Sequence, residues 1–242
     1  MPYNGGYYYG GVDIWYLVLV LPAFLITLFA QFKVKSTFNK FSQYTTRSGV
    51  TGYDAARRVL DSAGLQSVSI SRTSGTLSDY YDPTQNTIFL SDSTYGRATI
   101  AAAGVAAHEA GHACQHADEY APLKLRTAII PICNFGAGLA WPVILIGYML
   151  GFGGLVYVGI ALFSLSTVFQ LVTLPVEFNA SRRALASLEG CGLLYSDELY
   201  GAKKVLTAAA LTYVASLAMS LANLLRLILI FTNRGGSDRR RR

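Results

Sequence analysis

The stretch HEAGHACQH, residues 108–116, holds every histidine of a 242-residue chain. His108 and His112 are four apart, so on a helix both imidazoles share one face, one turn apart. Two ring nitrogens at that spacing suit one tetrahedral zinc at about 2.0–2.1 Å each. Glu109, beside the first of them, is placed to act as general base toward water at such an ion. With three His and five Glu in the chain, chance gives this H-E-x-x-H pattern on the order of once in a thousand. His116 lies about 12 Å from His108 along a helix axis, too far to share one tetrahedral ion. Its spacing gives it a supporting or surface role. Cys114 points to another face and reads as a buried thiol.

The stretch belongs to a helix expected over about 97–117, opened by Ser93 or Thr94 and entered through the alanine-rich TIAAAGVAA. Upstream, TGYDAARRVLDSA (51–63) has helical apolar spacing, with Thr51 as N-cap and Gly64 as stop. Residues 68–72 alternate and are β-branched, which predicts a strand. DYYDP (79–83) leads into NTIFLS (86–91), a further strand, with Pro83 and Asn86 bracketing a turn.

The rest of the chain is apolar. Hydrophobic residues make up 52% and charged residues 14%, against about 25% charged in a soluble domain. Runs at 15–32, 127–150, 155–174 and 205–231 reach the length of a bilayer span. These runs divide the chain. A flexible tail (1–14) precedes a span (15–32) and a cytoplasmic region (33–126) carrying the H-E-x-x-H helix. A transmembrane hairpin follows (127–174), turning at the glycines near 151–154. A helix over 175–204, a transmembrane or membrane-packed helix over 205–231, and a basic tail (232–242) complete it. Pro175 is expected to break the third span, so that a new helix opens with Glu177 in its first turn.

Lys33, Lys35, Lys40, Lys124 and Arg126 flank the first two spans, and the tail before residue 15 has no Lys or Arg. The positive-inside rule therefore puts 33–126 in the cytoplasm. Arg182, Arg183, Lys203 and Lys204 put 175–204 on the same side. Four crossings place Arg234 and the RRRR end outside, against the rule, so the side of the C-terminus stays open. The net charge of +6 sits beside apolar runs and in the tail, as suits anionic lipid headgroups. No nucleic-acid motif occurs. Cys114, Cys133 and Cys191 show no paired spacing, so no disulfide framework is expected.

With the histidines spent, a third metal ligand is expected to be a carboxylate. Glu177 is favoured among the five glutamates. Glu119 is too close in sequence to fold back, and Glu189 and Glu198 lie in ordinary polar surroundings. A carboxylate in a first helical turn also stands there for the helix dipole alone.

HEAGHACQH, DYYDP…TIFLS, and PVEFNASRRA followed by GAKKVLTAAALTYVA together resemble the bacterial membrane zinc metallopeptidases of the YugP type. The similarity covers nearly the whole chain after the first span. More distantly, H-E-x-x-H followed by E-F-x-A is similar to the HtpX proteases and the CAAX prenyl endopeptidases. The resemblance implies Zn2+ held by His108, His112 and Glu177, with Glu109 as general base. Ser181 stands where the HtpX pattern has an Asp, and it and His116 are the side chains expected to support a ligand imidazole. Asn179 also stands where Asp is expected. An edge strand above the metal pairs with substrate backbone in such peptidases. Here that strand is Asn86, Thr87, Ile88, Phe89 and Leu90. Arg182, Arg183 and Tyr213 remain alternatives for the group facing an oxyanion.

The expected fold class is a mainly α membrane protein of three to four transmembrane helices with a small cytoplasmic α+β zincin-like part. The expected function is hydrolysis of a peptide or membrane-protein segment at the cytoplasmic face of the bacterial plasma membrane. The lipid bilayer is its other partner, and nucleic acid is not one. The alternative is a catalytically silent membrane scaffold or metal-binding protein. A purely binding role does not call for Glu109.

Overall fold

The computed structural model describes residues 8–9 and 12–238. Residues 1–7 and 10–11 of the expected N-terminal tail, and 239–242 of the basic tail, lie outside the described residues. β1 (Tyr8–Tyr9) and β2 (Val12–Asp13) pair antiparallel. A π-helical turn (Tyr16–Val20) runs into α1 (Leu21–Phe41). Then follow α2 (Gly52–Ser62), β3 (Ser69–Thr73), β4 (Tyr80–Asp82), β5 (Thr87–Ser91), α3 (Ile100–Ala117), α4 (Ala121–Met149), α5 (Gly153–Gly190) and α6 (Ser196–Asp238).

Four helical stretches are long and apolar enough to cross a membrane: Tyr16–Phe41, Ala121–Met149, Gly153–Gly190 and Ser196–Thr232. The protein is thus a mainly α membrane protein with a small sheet, as its composition predicts. The described chain forms two compact units. One comprises the chain up to Phe29, Leu125–Thr173, and the chain from Tyr213 on. The other comprises Ala30–Lys124 and Leu174–Thr212.

In the first unit, Ile144 of α4, Val156 and Ile160 of α5 and Leu227 of α6 form a buried cluster. Large apolar side chains such as Phe24, Phe29, Phe135 and Ile146 point outward. Helices apolar on every face are the mark of a lipid surround. A charged pair in this unit joins Asp13 to Arg226, Nη2 to Oδ2, at 2.6 Å.

In the second unit α2 forms as its periodicity predicts. Ala55, Ala56, Val59 and Leu60 are buried on one face. Thr51 caps the helix: its Oγ1 accepts from Asp54 N–H at 3.2 Å, and Asp54 Oδ2 accepts from Thr51 N–H at 3.0 Å. α3 starts at Ile100, three residues later than expected, because Thr99 is the N-cap and its Oγ1 accepts from Ala102 N–H. Its alanines at 101–103, 106, 107, 110 and 113 are all buried. Small side chains on every face let this helix be enclosed by α2, the sheet and the C-terminal part of α5.

Two expectations are corrected here. Pro175 does not break the chain: α5 runs unbroken from Gly153 to Gly190, and the next helix opens at Ser196. Proline removes one bond to the carbonyl four residues back, and the remaining bonds of a long apolar helix carry it through. Glu177 is therefore mid-helix, not in a first turn. The second correction concerns the strand Asn86–Leu90. The sheet order is β3-β5-β4, so β5 is central. It pairs parallel with β3 (Ser69↔Thr87 to Thr73↔Ser91) and antiparallel with β4 (Tyr80↔Phe89 to Asp82↔Thr87). TIFLS is apolar or small on both faces, and four of its five residues are buried. That is the pattern of an interior strand, not of an edge that accepts a peptide.

Candidate functional site

α3 and α5 meet inside the second unit, and the charged residues of α5 all lie in that part of the helix. His108 and His112 stack edge to face, with ring centroids 4.8 Å apart. Glu177 reaches across from α5. Its Oε2 lies 3.4 Å from His108 Nε2 and 3.6 Å from His112 Nε2. The carboxylate is 2% exposed. These three residues are a group whose ligand atoms all lie within 4.8 Å of one another. A tetrahedral zinc with bonds of about 2.0–2.2 Å has ligand–ligand edges of roughly 3.3–3.6 Å. The two Glu177 edges fall in that range, and two imidazoles with one carboxylate are a usual zinc donor set. The residues present fit the ion.

Gly111 makes the approach of the helices possible. A Cβ there would come within 2.8 Å of the carbonyl oxygen of Ala180 on α5. Both imidazoles are held at their far nitrogen. His108 Nδ1 lies 3.2 Å from Ser181 Oγ, and His112 Nδ1 lies 3.0 Å from Gln115 Oε1. Each ring thus turns Nε2 toward Glu177, the orientation a metal ligand requires.

Glu109 is buried beside this group, 9% exposed. Burial pushes its carboxyl up. His108 and His112 oppose that rise, while the charges of Asp79 and Glu177 add to it. A carboxyl raised in this way is a stronger base near neutral pH. Asp79 precedes β4 and accepts from Ser91 N–H at 2.8 Å and from Ser91 Oγ–H at 3.0 Å. Burial pushes its own carboxyl up against those bonds.

The other predicted residues fall as follows. His116 is exposed and lies away from the ligand atoms, its Nδ1 3.3 Å from the Tyr81 hydroxyl. Asn86, Thr87, Ile88, Phe89 and Leu90 lie in or beside the central strand described above. Arg182 is exposed. Arg183 donates from Nε to Asn179 Oδ1 at 2.9 Å and pairs with Asp118. Tyr213 falls in the other unit. Sequence reasoning missed Gln115 and Asp79. Gln115 stands three residues beyond His112, a spacing that shares a helix face, and that signal was available.

Residues 16–232 match the family described as "Putative neutral zinc metallopeptidase". The chain is 47% identical over 218 residues to the "Putative membrane protease YugP" of Bacillus subtilis (strain 168), which covers 90% of this chain and 97% of that protein. No solved structure matches the chain. With the family match spanning nearly all of the sequence and the His–His–Glu group at its centre, the chain belongs to this neutral zinc metallopeptidase family.

Proposed function

We propose that the protein is a membrane zinc endopeptidase in which His108, His112 and Glu177 hold the metal and Glu109 is the general base. The observation that carries this reading is the Glu177 carboxylate, 3.4 and 3.6 Å from the two imidazole Nε2 atoms, with Glu109 buried beside them. Zinc, when bound, supplies Lewis acidity toward a peptide carbonyl and toward water. Glu109 takes a proton from the attacking water as its oxygen bonds to the carbonyl carbon. It returns that proton to the amide nitrogen as the C–N bond breaks, and the proton left on the new carboxyl passes to the amine, giving a carboxylate and an ammonium. His108 and His112 keep Nε2 forward because Ser181 and Gln115 hold their Nδ1 atoms.

The substrate class is a peptide or an unfolded membrane-protein segment, in keeping with the membrane protease named for the Bacillus relative. β4 is an edge strand, and Asp79, just before it, is near enough to raise the Glu109 carboxyl. Its open side is where an extended peptide adds by main-chain hydrogen bonds. This assigns to β4 the role expected of the strand Asn86–Leu90.

The site faces the cytoplasm of the bacterial plasma membrane. Fourteen of the twenty Lys and Arg lie in 33–126 and 175–204, the side the positive-inside rule assigns. The test is Glu109→Gln in the detergent-purified chain. Hydrolysis of an unstructured peptide falls by about 10²–10⁴-fold, the contribution of a positioned base, while bound zinc is unchanged. Hydrolysis retained within a few-fold would remove Glu109 from the mechanism.

A further inference from the structure

We infer that Gln115 is the positioning residue of this centre: it fixes which nitrogen of His112 carries the hydrogen and ties that ring to the backbone beside Glu177. This rests on the metal reading above. Gln115 is fully buried. Its Nε2 lies 2.8 Å from Val176 O and 2.9 Å from Asn179 Oδ1. A backbone carbonyl only accepts, so the nitrogen side of the amide must face Val176. Oε1 then faces His112 Nδ1 at 3.0 Å. An amide oxygen also only accepts, so Nδ1 must carry the hydrogen. The lone pair of the neutral ring is left on Nε2, the atom nearest Glu177.

Asn179 closes the argument in the same way. Arg183 Nε donates to its Oδ1 at 2.9 Å, and a guanidinium cannot accept. The Asn179 oxygen therefore faces both Arg183 and Gln115. Arg183 in turn pairs with Asp118 at the C-terminal cap of α3. His112 donates to Gln115 and Gln115 to Asn179, whose oxygen also accepts from Arg183, and no member can turn round without losing a partner. His108 differs. Its Nδ1 meets a hydroxyl, Ser181 Oγ, which donates or accepts equally well and selects neither tautomer. Val176 is the residue before Glu177, so one buried amide holds the His112 ring and the stretch of backbone that carries the third ligand.

The experiment is zinc affinity by chelator competition on the full chain in detergent, with the absorption spectrum of the cobalt-loaded protein as a readout of ligand geometry. Gln115→Leu is expected to weaken zinc by about 10–100-fold and to alter the cobalt bands. Gln115→Glu keeps an acceptor for Nδ1–H and, protonated in its buried site, a donor for Val176 O, and is expected to stay within about tenfold of wild type. Binding by Gln115→Leu within threefold of wild type with unchanged bands overturns the inference, as does a Gln115→Glu variant as weak as Gln115→Leu. If Gln115→Leu does not fold, Gln115→Glu decides: zinc retained with shifted cobalt bands supports the role, and zinc lost overturns it. A wild type that takes up no zinc would instead sink the metal reading on which the inference stands.

Discussion

Gly111 stands between Glu109 and His112, where α3 touches α5. Any Cβ there meets the Ala180 carbonyl at 2.8 Å, a backbone atom that cannot swing aside. Gly111→Ala must therefore push the helices apart by some tenths of an ångström and move Glu177 away from the imidazoles. The expected result is zinc affinity at least tenfold weaker, with a stability loss of about 1–3 kcal/mol from overpacking, read by chelator competition and thermal melting. His112 gives a second prediction. Burial alone would lower its imidazolium, but the Glu177 and Glu109 carboxylates and the Gln115 hydrogen bond together outweigh burial and hold the ring protonated above the usual histidine range in the metal-free protein. That proton adds stability at low pH, and the gain is lost as pH rises through the raised value. Zinc must displace it, so affinity should climb with pH through and beyond ~6.5. A flat affinity between pH 6 and 8 would contradict this. The two histidines and Glu109 were legible in their spacing alone. Glu177 was favoured as a remaining carboxylate and strengthened by the resemblance, because it sits 65 residues past His112 and no spacing links the two. Gln115 was passed over because the partners that give it meaning, Val176 and Asn179, lie 61 and 64 residues further on.

Among the elements, β5 is the strand the small sheet is built on. Ile88 and Leu90 are fully buried and join the core with α2 and α3. Leu90→Ala should cost about 2–5 kcal/mol, while Thr51→Ala, which removes the cap of α2, should cost about 1 kcal/mol. Thermal melting in detergent checks both. A Thr51 variant as damaging as the Leu90 variant would show the core is misplaced. α2 was readable because its apolar face recurs with the helical period. The order of the strands was not, since it depends on a parallel pairing of β3 with β5 across an intervening strand. The run TIFLS did carry the answer in being apolar or small on both faces. Pro175 misled because its cost is local, and a 38-residue helix has many other bonds to hold its course.

At the scale of the whole molecule, the four apolar helices account for a charged content of only 14%. The polar residues are concentrated in one of its two units. Asp13 precedes the first span, and Arg226 lies near the end of the fourth. Their pairing at 2.6 Å fits a topology with both ends on one face of the membrane, that is, an even number of crossings. Reporter fusions at the two termini should therefore both read the outer face, despite the basic tail. A C-terminus in the cytoplasm would contradict four crossings. Asp13→Asn should lower stability by about 1–3 kcal/mol, because Arg226 loses a charged partner where few others are at hand. Composition made the membrane class plain, but the side of the C-terminus could not be read from charge, which pointed the other way. The contact between two residues 213 apart is the observation that favours the outer side, and the fusions test it.

The central claim is that His108, His112 and Glu177 hold one zinc. Metal content of the detergent-purified wild type, measured beside Glu177→Ala, tests it most directly. About one zinc per chain in the wild type, lost in the variant, is the predicted result. Undiminished zinc in Glu177→Ala, or none in the wild type after zinc is supplied, would contradict it.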